Sequence, residues 1–158
     1  MNIDNITFVQ NSEPSLHVDE IRYQGCIEED QILTQHSNAT FQVTWLTIQD
    51  YNHGYLSLVD NRITQQQFEK KFFKLFPREK DSFKLLVLKH ADICIGTGSL
   101  FIDKDTTFDL ITGYIEDIIV LKPYWTQSSQ ILNAMIDIAW YQGCEKCQVN
   151  QNNEDNGI

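Results

Sequence analysis

Residues 113–120 read GYIEDIIV, an apolar run with two adjacent carboxylates, Glu116 and Asp117, in its middle. Side chains alternate between the two faces of a strand, so the pattern predicts that one of these carboxylates faces inward. Burying a carboxylate without a partner is costly, on the order of several kcal/mol. The stretch therefore indicates either a β-bulge or a functional site.

Length and composition predict one domain with a substantial core, because the chain has 158 residues, of which 42% are apolar and 11% aromatic. The net charge of −10 argues against binding to nucleic acid or to an anionic membrane surface. No run approaches the roughly 18 apolar residues of a membrane helix, and residues 1–5 lack the cationic start of a targeting signal. We therefore expect an intracellular, cytoplasmic protein without membrane insertion.

The four cysteines are too few and too scattered for a disulfide framework, and we expect reduced thiols. Cys144 and Cys147 have C-x-x-C spacing, but no second pair of Cys or His residues stands at the spacing that a zinc site needs. We expect no metal site here. The sequence instead predicts Cys144 at the end of a helix and Cys147 on the following strand.

The N-terminal residues 1–40 differ from the rest of the chain, being polar and acidic without a sustained period. Such a pattern is typical of an extension that is ordered in part at most. Residues 41–48 then alternate and predict a strand. Asp50 is a candidate N-cap, and a first helix is predicted over residues 50–59.

A second helix is predicted to begin at Thr64, which forms a capping box with Gln67, and to end before Pro77. Phenylalanines at helical spacing predict its core-facing side. They are Phe68, Phe72, Phe73 and Phe76.

The remaining elements alternate between strands and one long helix. Residues 83–89 and 94–102 predict an antiparallel hairpin with a short turn. After the strand with the two carboxylates, residues 131–140 form an amphipathic pattern that ends at Gly143, a typical residue after a helix C-cap. Residues 146–150 predict a last short strand.

The carboxylate strand resembles the Gly-x-(Ile/Val)-Glu-Asp-(Ile/Val)-x-Val strand of the glucosamine-6-phosphate N-acetyltransferase family, in the GCN5-related superfamily. Four shorter stretches are similar to that family in the same order: 63–68 (ITQQQF), 96–100 (GTGSL), 143–146 (GCEK) and 153–156 (NEDN). The resemblance implies an α+β fold with a mixed, mostly antiparallel sheet flanked by helices. It also implies an acetyltransferase-like domain over residues 41–158, after the 1–40 extension.

The resemblance implies transfer of acetyl from acetyl-CoA to the amine of glucosamine 6-phosphate, a step toward UDP-N-acetylglucosamine. By carry-over, Glu116 and Asp117 would position the amine and accept its proton, as the candidate catalytic pair. Ile118 would face the thioester, and Val120 would also contact the cofactor. A structural interpretation, in which Glu116 and Asp117 serve only a bulge, stays open.

The family binds the pyrophosphate of acetyl-CoA with a glycine-rich loop, whose amides point at the anion before a helix. Here residues 121–130 replace that loop, no glycine occurs between residues 113 and 143, and Pro123 removes an amide donor. The glycine cradle is therefore predicted to be lost. Three hydroxyls remain as donors for weak anion binding: Thr126, Ser128 and Ser129.

The resemblance also implies a tyrosine that protonates the departing thiolate and two final strands, and the sequence stops at Ile158 before both. These departures predict impaired or lost catalysis. They also predict a protein partner or a homodimer that covers the edge of the last strand. The alternative function is a non-catalytic structural or interaction subunit of a larger assembly.

Overall fold

The computed structural model describes residues 26–75, 82–105 and 107–150. Five strands form one sheet in the order β1-β2-β3-β4-β5. They are β1 (Phe41–Trp45), β2 (Phe83–His90), β3 (Ile93–Asp105), β4 (Leu110–Val120) and β5 (Lys146–Val149). The α-helices are α1 (Ile27–Gln35), α2 (Tyr55–Leu58), α3 (Gln65–Leu75) and α4 (Ser128–Tyr141). Two 3₁₀ helices span Ile48–Asn52 and Lys122–Gln127.

The sheet is mixed and mostly antiparallel. Strands β1 to β4 pair antiparallel with their neighbours, and β5 pairs parallel to β4. The turn between β2 and β3 consists of Ala91 and Asp92, whose φ values of 49° and 65° are those of a tight hairpin turn. The predicted hairpin and the predicted α+β class are confirmed.

Helix α4 covers one face of the sheet and supplies five fully buried side chains: Ile131, Ala134, Met135, Ile138 and Ala139. Glycines allow its close approach, since a Cβ at Gly98 would lie 2.8 Å from Met135 Cε, and one at Gly113 would lie 3.2 Å from Ala139 Cβ. The helix ends before Gly143, whose φ is +86°. The predicted helix and its end are confirmed, and β5 follows as predicted.

The segment after β1 corrects two predictions. The strand ends at Trp45, short of residue 48. The single helix predicted over residues 50–59 is wrong, because the chain forms a 3₁₀ helix and then the one-turn helix α2, with Gly54 between them at φ +96°. A Cβ on Gly54 would lie 2.9 Å from the carbonyl oxygen of Cys94, so the chain passes too close to β3 for a continuous helix.

Helix α3 begins with the predicted capping box. The Thr64 N–H donates to Gln67 Oε1 at 2.9 Å, and the Gln67 N–H donates to Thr64 Oγ1 at 3.2 Å. Phe68 and Phe72 are buried as predicted, whereas Phe73 is 46% exposed, because it lies beside Phe72 at the margin of the apolar face. The predictions for Phe76 and Pro77 lie outside the described residues.

Helix α1 lies within the acidic N-terminal segment, where the sequence has no helical period. Its Glu29 is 1% exposed and pairs with the equally buried Lys84 of β2, at 3.4 Å between Oε1 and Nζ. Asp30 accepts a 2.6 Å hydrogen bond from Trp45 Nε1. The helix therefore docks through these polar contacts with β1 and β2 and through one buried apolar residue, Leu33, a combination that hydrophobic periodicity does not reveal.

Among the described residues, no helix combines the length and the apolar character needed to cross a bilayer. The predicted absence of final strands, and the family-like stretch at residues 153–156, concern positions outside the described residues.

Candidate active site

Strand β4 contains a bulge at the two carboxylates. Ser99 pairs with Glu116 and Thr97 pairs with Ile119, so two residues of β4 oppose the single residue between Thr97 and Ser99. Asp117 takes the left-handed conformation, with φ +54°. Because the bulge interrupts the alternation, both carboxylates are exposed, and the prediction that one of them faces inward is wrong.

The bulge also marks the point where β4 and β5 separate. Their pairing runs from Thr112↔Lys146 to Ile115↔Val149, and the Asn150 N–H adds a 2.8 Å bond to the Ile115 carbonyl. Beyond it, residues 116–120 pair only with β3 in the described part of the chain. An open main-chain edge therefore begins at the carboxylates.

Glu116 is held at this point of separation. Asn150 Nδ2 donates to Glu116 Oε1 at 3.1 Å, and Ser99 Oγ donates to the Glu116 carbonyl at 3.1 Å. The side chain and the main chain of Glu116 are thus fixed from two different strands.

Asp117 instead lines a cavity of about 340 Å³ between the sheet and helices α2 and α3. Its carboxylate forms no hydrogen bond or ion pair with a described residue, and Glu116 is not among the lining residues. The structure thus separates the predicted pair, with Asp117 in the cavity and Glu116 beside β5. The cavity lies next to the open edge of β4.

Tyr55 of α2 lines the same cavity and is 9% exposed. Its hydroxyl has no hydrogen-bond partner among the described residues. Burial raises the pKa of Tyr55 far above its usual range, and the negative charges of Asp50 and Asp117 add to the shift. The hydroxyl therefore stays protonated and serves as a hydrogen-bond donor.

A buried polar cluster beneath α2 fixes the position of Tyr55. Asp50 is fully buried, lies 2.8 Å from Lys89 Nζ through Oδ1, and accepts a 2.7 Å bond from the Thr47 N–H through Oδ2. The Cys94 N–H donates to the His53 carbonyl at 2.7 Å. Sequence reasoning missed Tyr55, because its position depends on these contacts and on the break at Gly54. It also missed Lys71 of α3, which lines the cavity.

The two predicted cofactor-binding residues on β4 have different surroundings. Ile118 is half-buried, and a Cβ at Gly98 would lie 3.5 Å from its Cγ1, so it faces the α4 side of the sheet. Val120 is fully buried, main chain included, so no part of it is accessible to a ligand in this structure.

The loop after β4 forms the 3₁₀ helix Lys122–Gln127, which leads directly into α4. Its turns use the amides of Tyr124 and Ser128, which bond to the Leu121 and Trp125 carbonyls, and Pro123 has no amide hydrogen. The loop therefore does not form a glycine-type cradle. The predicted hydroxyl donors lie at the start of α4, where Thr126 and Ser129 are exposed and Ser128 is half-buried.

Acetyl-CoA, which the sequence resemblance implies, fits one end of this site better than the other. The open edge of β4 offers main-chain groups to an extended, amide-containing chain, in the manner of an added strand. The loop has no amide hydrogen at Pro123, and the amides of Tyr124 and Ser128 are bonded within its own turns, so it offers fewer donors to a pyrophosphate. The acyl-thioester end therefore fits, and the nucleotide end has fewer donors.

The described residues provide neither a metal site nor a reactive thiol. No group of three metal-ligating side chains occurs in the described ranges. The four cysteines are unpaired, and burial raises the pKa of both Cys144 and Cys147, so these thiols are poor nucleophiles at neutral pH. Their positions, at the end of α4 and on β5, are those predicted.

Strand β4 has a bulge, separates from β5 at that point and borders the cavity. A chain with these features also matches one protein family. The model of the acetyltransferase (GNAT) family matches residues 40–156. The chain belongs to the GNAT family. The predicted superfamily is thereby confirmed, and no curated protein sequence is significantly similar to the chain.

Solved structures share the GNAT fold with this chain at low sequence identity. Glucosamine-6-phosphate N-acetyltransferase from Arabidopsis thaliana has a TM-score of 0.65 and 22% identity, over 73% of this chain and 84% of that one. An acetyltransferase from Trypanosoma brucei has a TM-score of 0.61 and 18% identity, over 72% and 84%. AAC(6′)-Iy in complex with the bisubstrate analogue CoA-S-monomethyl-acetylneamine has a TM-score of 0.57 and 12% identity, over 74% and 83%.

Proposed function

We propose that this GNAT protein is an N-acetyltransferase that binds a small primary amine in the cavity and acetyl-CoA along the open edge of β4. The observation that carries the proposal is the bulge, which directs Asp117 into the cavity at the point where β4 and β5 separate. Amine and thioester can thus meet at one place on the strand.

The protein's own residues supply binding, orientation and proton uptake. Asp117 holds the amine and accepts the proton that leaves its nitrogen, since its carboxylate has no competing partner in the described structure. Glu116, fixed by Asn150, maintains the geometry where the strands part. When bound, acetyl-CoA supplies the acetyl group as a thioester, with Ile118 and the open main-chain edge of β4 beside it. Thr126, Ser128 and Ser129 provide its anion contacts.

Glucosamine 6-phosphate is the first acceptor to test. The sequence resemblance to the glucosamine-6-phosphate N-acetyltransferase family supports it, and one structure of the same fold carries that name.

A second candidate function is a non-catalytic subunit of a larger protein assembly, or of a homodimer. The observation that favours it is the loop after β4, which has Pro123 and no glycine. Two of its amides form hydrogen bonds within the loop's own turns. A GNAT fold without a usable cofactor loop would be retained for its surfaces.

Calorimetric titration of the full chain with acetyl-CoA, and with desulfo-CoA as a control, tests the two functions. Micromolar binding of acetyl-CoA, with an acetylated amine detected by mass spectrometry, is the result expected of the enzyme. If acetyl-CoA does not bind at millimolar concentration, the enzyme proposal fails and the assembly subunit is favoured.

A further inference from the structure

The walls of the cavity are mainly apolar. Val59 follows α2, Phe83 and Leu85 lie on β2, and Ile119 lies on β4. These side chains present hydrocarbon to a ligand and offer no hydrogen bonds. A ligand with an apolar body is the natural complement of such walls.

Two of the three hydroxyls in the cavity lining are already engaged. Thr97 Oγ1 donates to the Leu86 carbonyl at 2.9 Å, and Ser99 Oγ donates to the Glu116 carbonyl at 3.1 Å. Neither has a proton left for a ligand. A sugar in this cavity would face apolar walls with several hydroxyls unpaired, which disfavours its binding.

The cavity carries two opposite charges on different elements. Asp117 comes from the β4 bulge and Lys71 from α3, and neither forms an ion pair with a described residue. Lys71 is exposed, which places its ammonium where a ligand can reach it from solvent. Asp117 favours the amine of a ligand, and Lys71 favours an anionic group elsewhere on the same ligand.

After Asp117 and Lys71, the Tyr55 hydroxyl is the third polar group of the lining that is available to a ligand. It is a donor held inside a largely buried side chain, and the described structure gives it no partner. A few placed polar groups among apolar walls are what fixes the orientation of a small ligand.

We propose that the acceptor is a small apolar amine with an acidic group some distance from the nitrogen, rather than an amino sugar. Its ammonium contacts Asp117, its hydrocarbon body lies against Val59, Leu85 and Ile119, and its anion contacts Lys71. Calling this ligand the acceptor rests on the proposed acetyl transfer. Its binding in the cavity can be measured without that reaction.

Three probes separate the parts of the proposal, each titrated into the full chain without acetyl-CoA and followed by NMR. 6-Aminohexanoate has the amine, the apolar body and the acid. Hexylamine lacks the acid, and glucosamine 6-phosphate has an amine and an anion on a sugar. We expect 6-aminohexanoate to bind about fivefold more tightly than hexylamine, as one partly screened charge contact allows, and more tightly than glucosamine 6-phosphate.

Two neighbouring lysines of α3 give a matched pair of variants. Lys71→Met should abolish the preference for 6-aminohexanoate over hexylamine. Lys70→Met should keep it, because Lys70 is exposed but does not line the cavity. Equal effects of the two substitutions, equal binding of the two linear amines, tightest binding of glucosamine 6-phosphate, or no binding of any probe would each overturn the proposal.

Failure of this proposal and failure of the proposed function give different results. If 6-aminohexanoate binds with the expected preference but no acetylated product forms, the acceptor class stands and acetyl transfer fails. If glucosamine 6-phosphate is acetylated and 6-aminohexanoate shows no preference, acetyl transfer stands and the acceptor class is wrong.

Discussion

Asn150 and Glu116 meet across the point where β5 leaves β4, with the Asn150 Nδ2 donating to Glu116 Oε1 at 3.1 Å. The same bulge turns the next residue, Asp117, into the cavity. Two adjacent carboxylates therefore have different surroundings. One is bound to a neighbouring strand, and the other is available to a ligand.

This difference predicts unequal effects of neutralising the two carboxylates. Asp117→Asn should lower the rate of acetyl transfer about 100-fold, because it removes the proton acceptor. The fold should persist, since asparagine tolerates the left-handed conformation at this position. Glu116→Gln keeps an oxygen that can accept from Asn150 and should cost less. Steady-state kinetics with each variant measures both effects, and a larger loss for Glu116→Gln would contradict the assignment.

The Tyr55 hydroxyl predicts a change in ligand binding without a loss of stability. Tyr55→Phe should weaken binding of the acceptor about fivefold, while the free energy of unfolding stays unchanged, because the hydroxyl has no partner among the described residues. Tyr51→Phe is the matched control. Its hydroxyl donates to the Ile63 carbonyl at 3.2 Å, so this variant should lose about 1 kcal/mol of stability and keep its binding. The reverse pattern in NMR titration and urea unfolding would refute the prediction.

Two glycines with positive φ predict different costs of adding a methyl group. Gly143→Ala should cost about 1 kcal/mol from backbone strain alone, since its nearest contact would be 3.7 Å away. Gly54→Ala adds a close contact with the Cys94 carbonyl oxygen, at 2.9 Å, and should cost about 3 kcal/mol. Urea unfolding of the two variants checks the order. Similar losses would show that the chain can shift at Gly54.

The buried pair of Glu29 and Lys84 predicts a strong asymmetry between single and double substitution. Lys84→Met leaves the Glu29 carboxylate buried without its partner and should cost about 3–5 kcal/mol. Adding Glu29→Leu should restore most of that loss, because both charges are then gone. Arg62→Ala removes the exposed pair with Asp60 and should leave the unfolding midpoint unchanged. A double variant no more stable than Lys84→Met would contradict this account.

The buried thiol of Cys94 predicts a loss of stability at alkaline pH. Burial raises the pKa of Cys94 above its value in the unfolded chain, about 8.5, and the nearby Asp50 carboxylate adds to the effect. Above pH 8.5 the unfolded chain binds fewer protons at this site, so stability falls as pH rises, by at most about 1.4 kcal/mol per pH unit. Below about pH 8.5 the thiol is protonated in both the folded and the unfolded chain, so this group does not change the stability with pH.

Unfolding at pH 8 to 10.5 in reducing buffer tests this contribution. Cys94→Ala should show a shallower decline than the unsubstituted chain, whereas Cys147→Ala, which removes a less buried thiol, should keep most of the decline. Identical slopes for Cys94→Ala and the unsubstituted chain would show that Cys94 does not set the alkaline limit.

The sequence predicts those parts of the fold that depend on neighbouring residues. The capping box of Thr64 and Gln67 and the glycine after α4 are local, and both are found where the pattern indicates them. The helix predicted after Asp50 fails because the chain passes so close to β3 at Gly54 that a Cβ there would lie 2.9 Å from the distant Cys94 carbonyl oxygen. Helix α1 is not evident from periodicity, since only one of its apolar residues, Leu33, is buried and polar pairs with β1 and β2 complete its docking.

The candidate site shows the same limit. The two carboxylates are evident from the sequence, but their directions depend on the register between β3 and β4. The contribution of Tyr55 and Lys71 depends on how α2 and α3 lie over the sheet. Alternation along one strand cannot supply this information, because a bulge changes the face of every residue beyond it.

Because α1 docks on the sheet, the part of the chain that folds together begins earlier than the part that matches the family. The family match begins at residue 40, whereas Glu29 and Asp30 lie before it. A shortened chain that begins at residue 40 would lose the Glu29 carboxylate that pairs with Lys84. Such a fragment would expose the sheet face that α1 covers and would tend to aggregate during preparation. Fragments for expression should therefore start at or before Cys26, whose carbonyl accepts the first amide bond of the helix from Asp30.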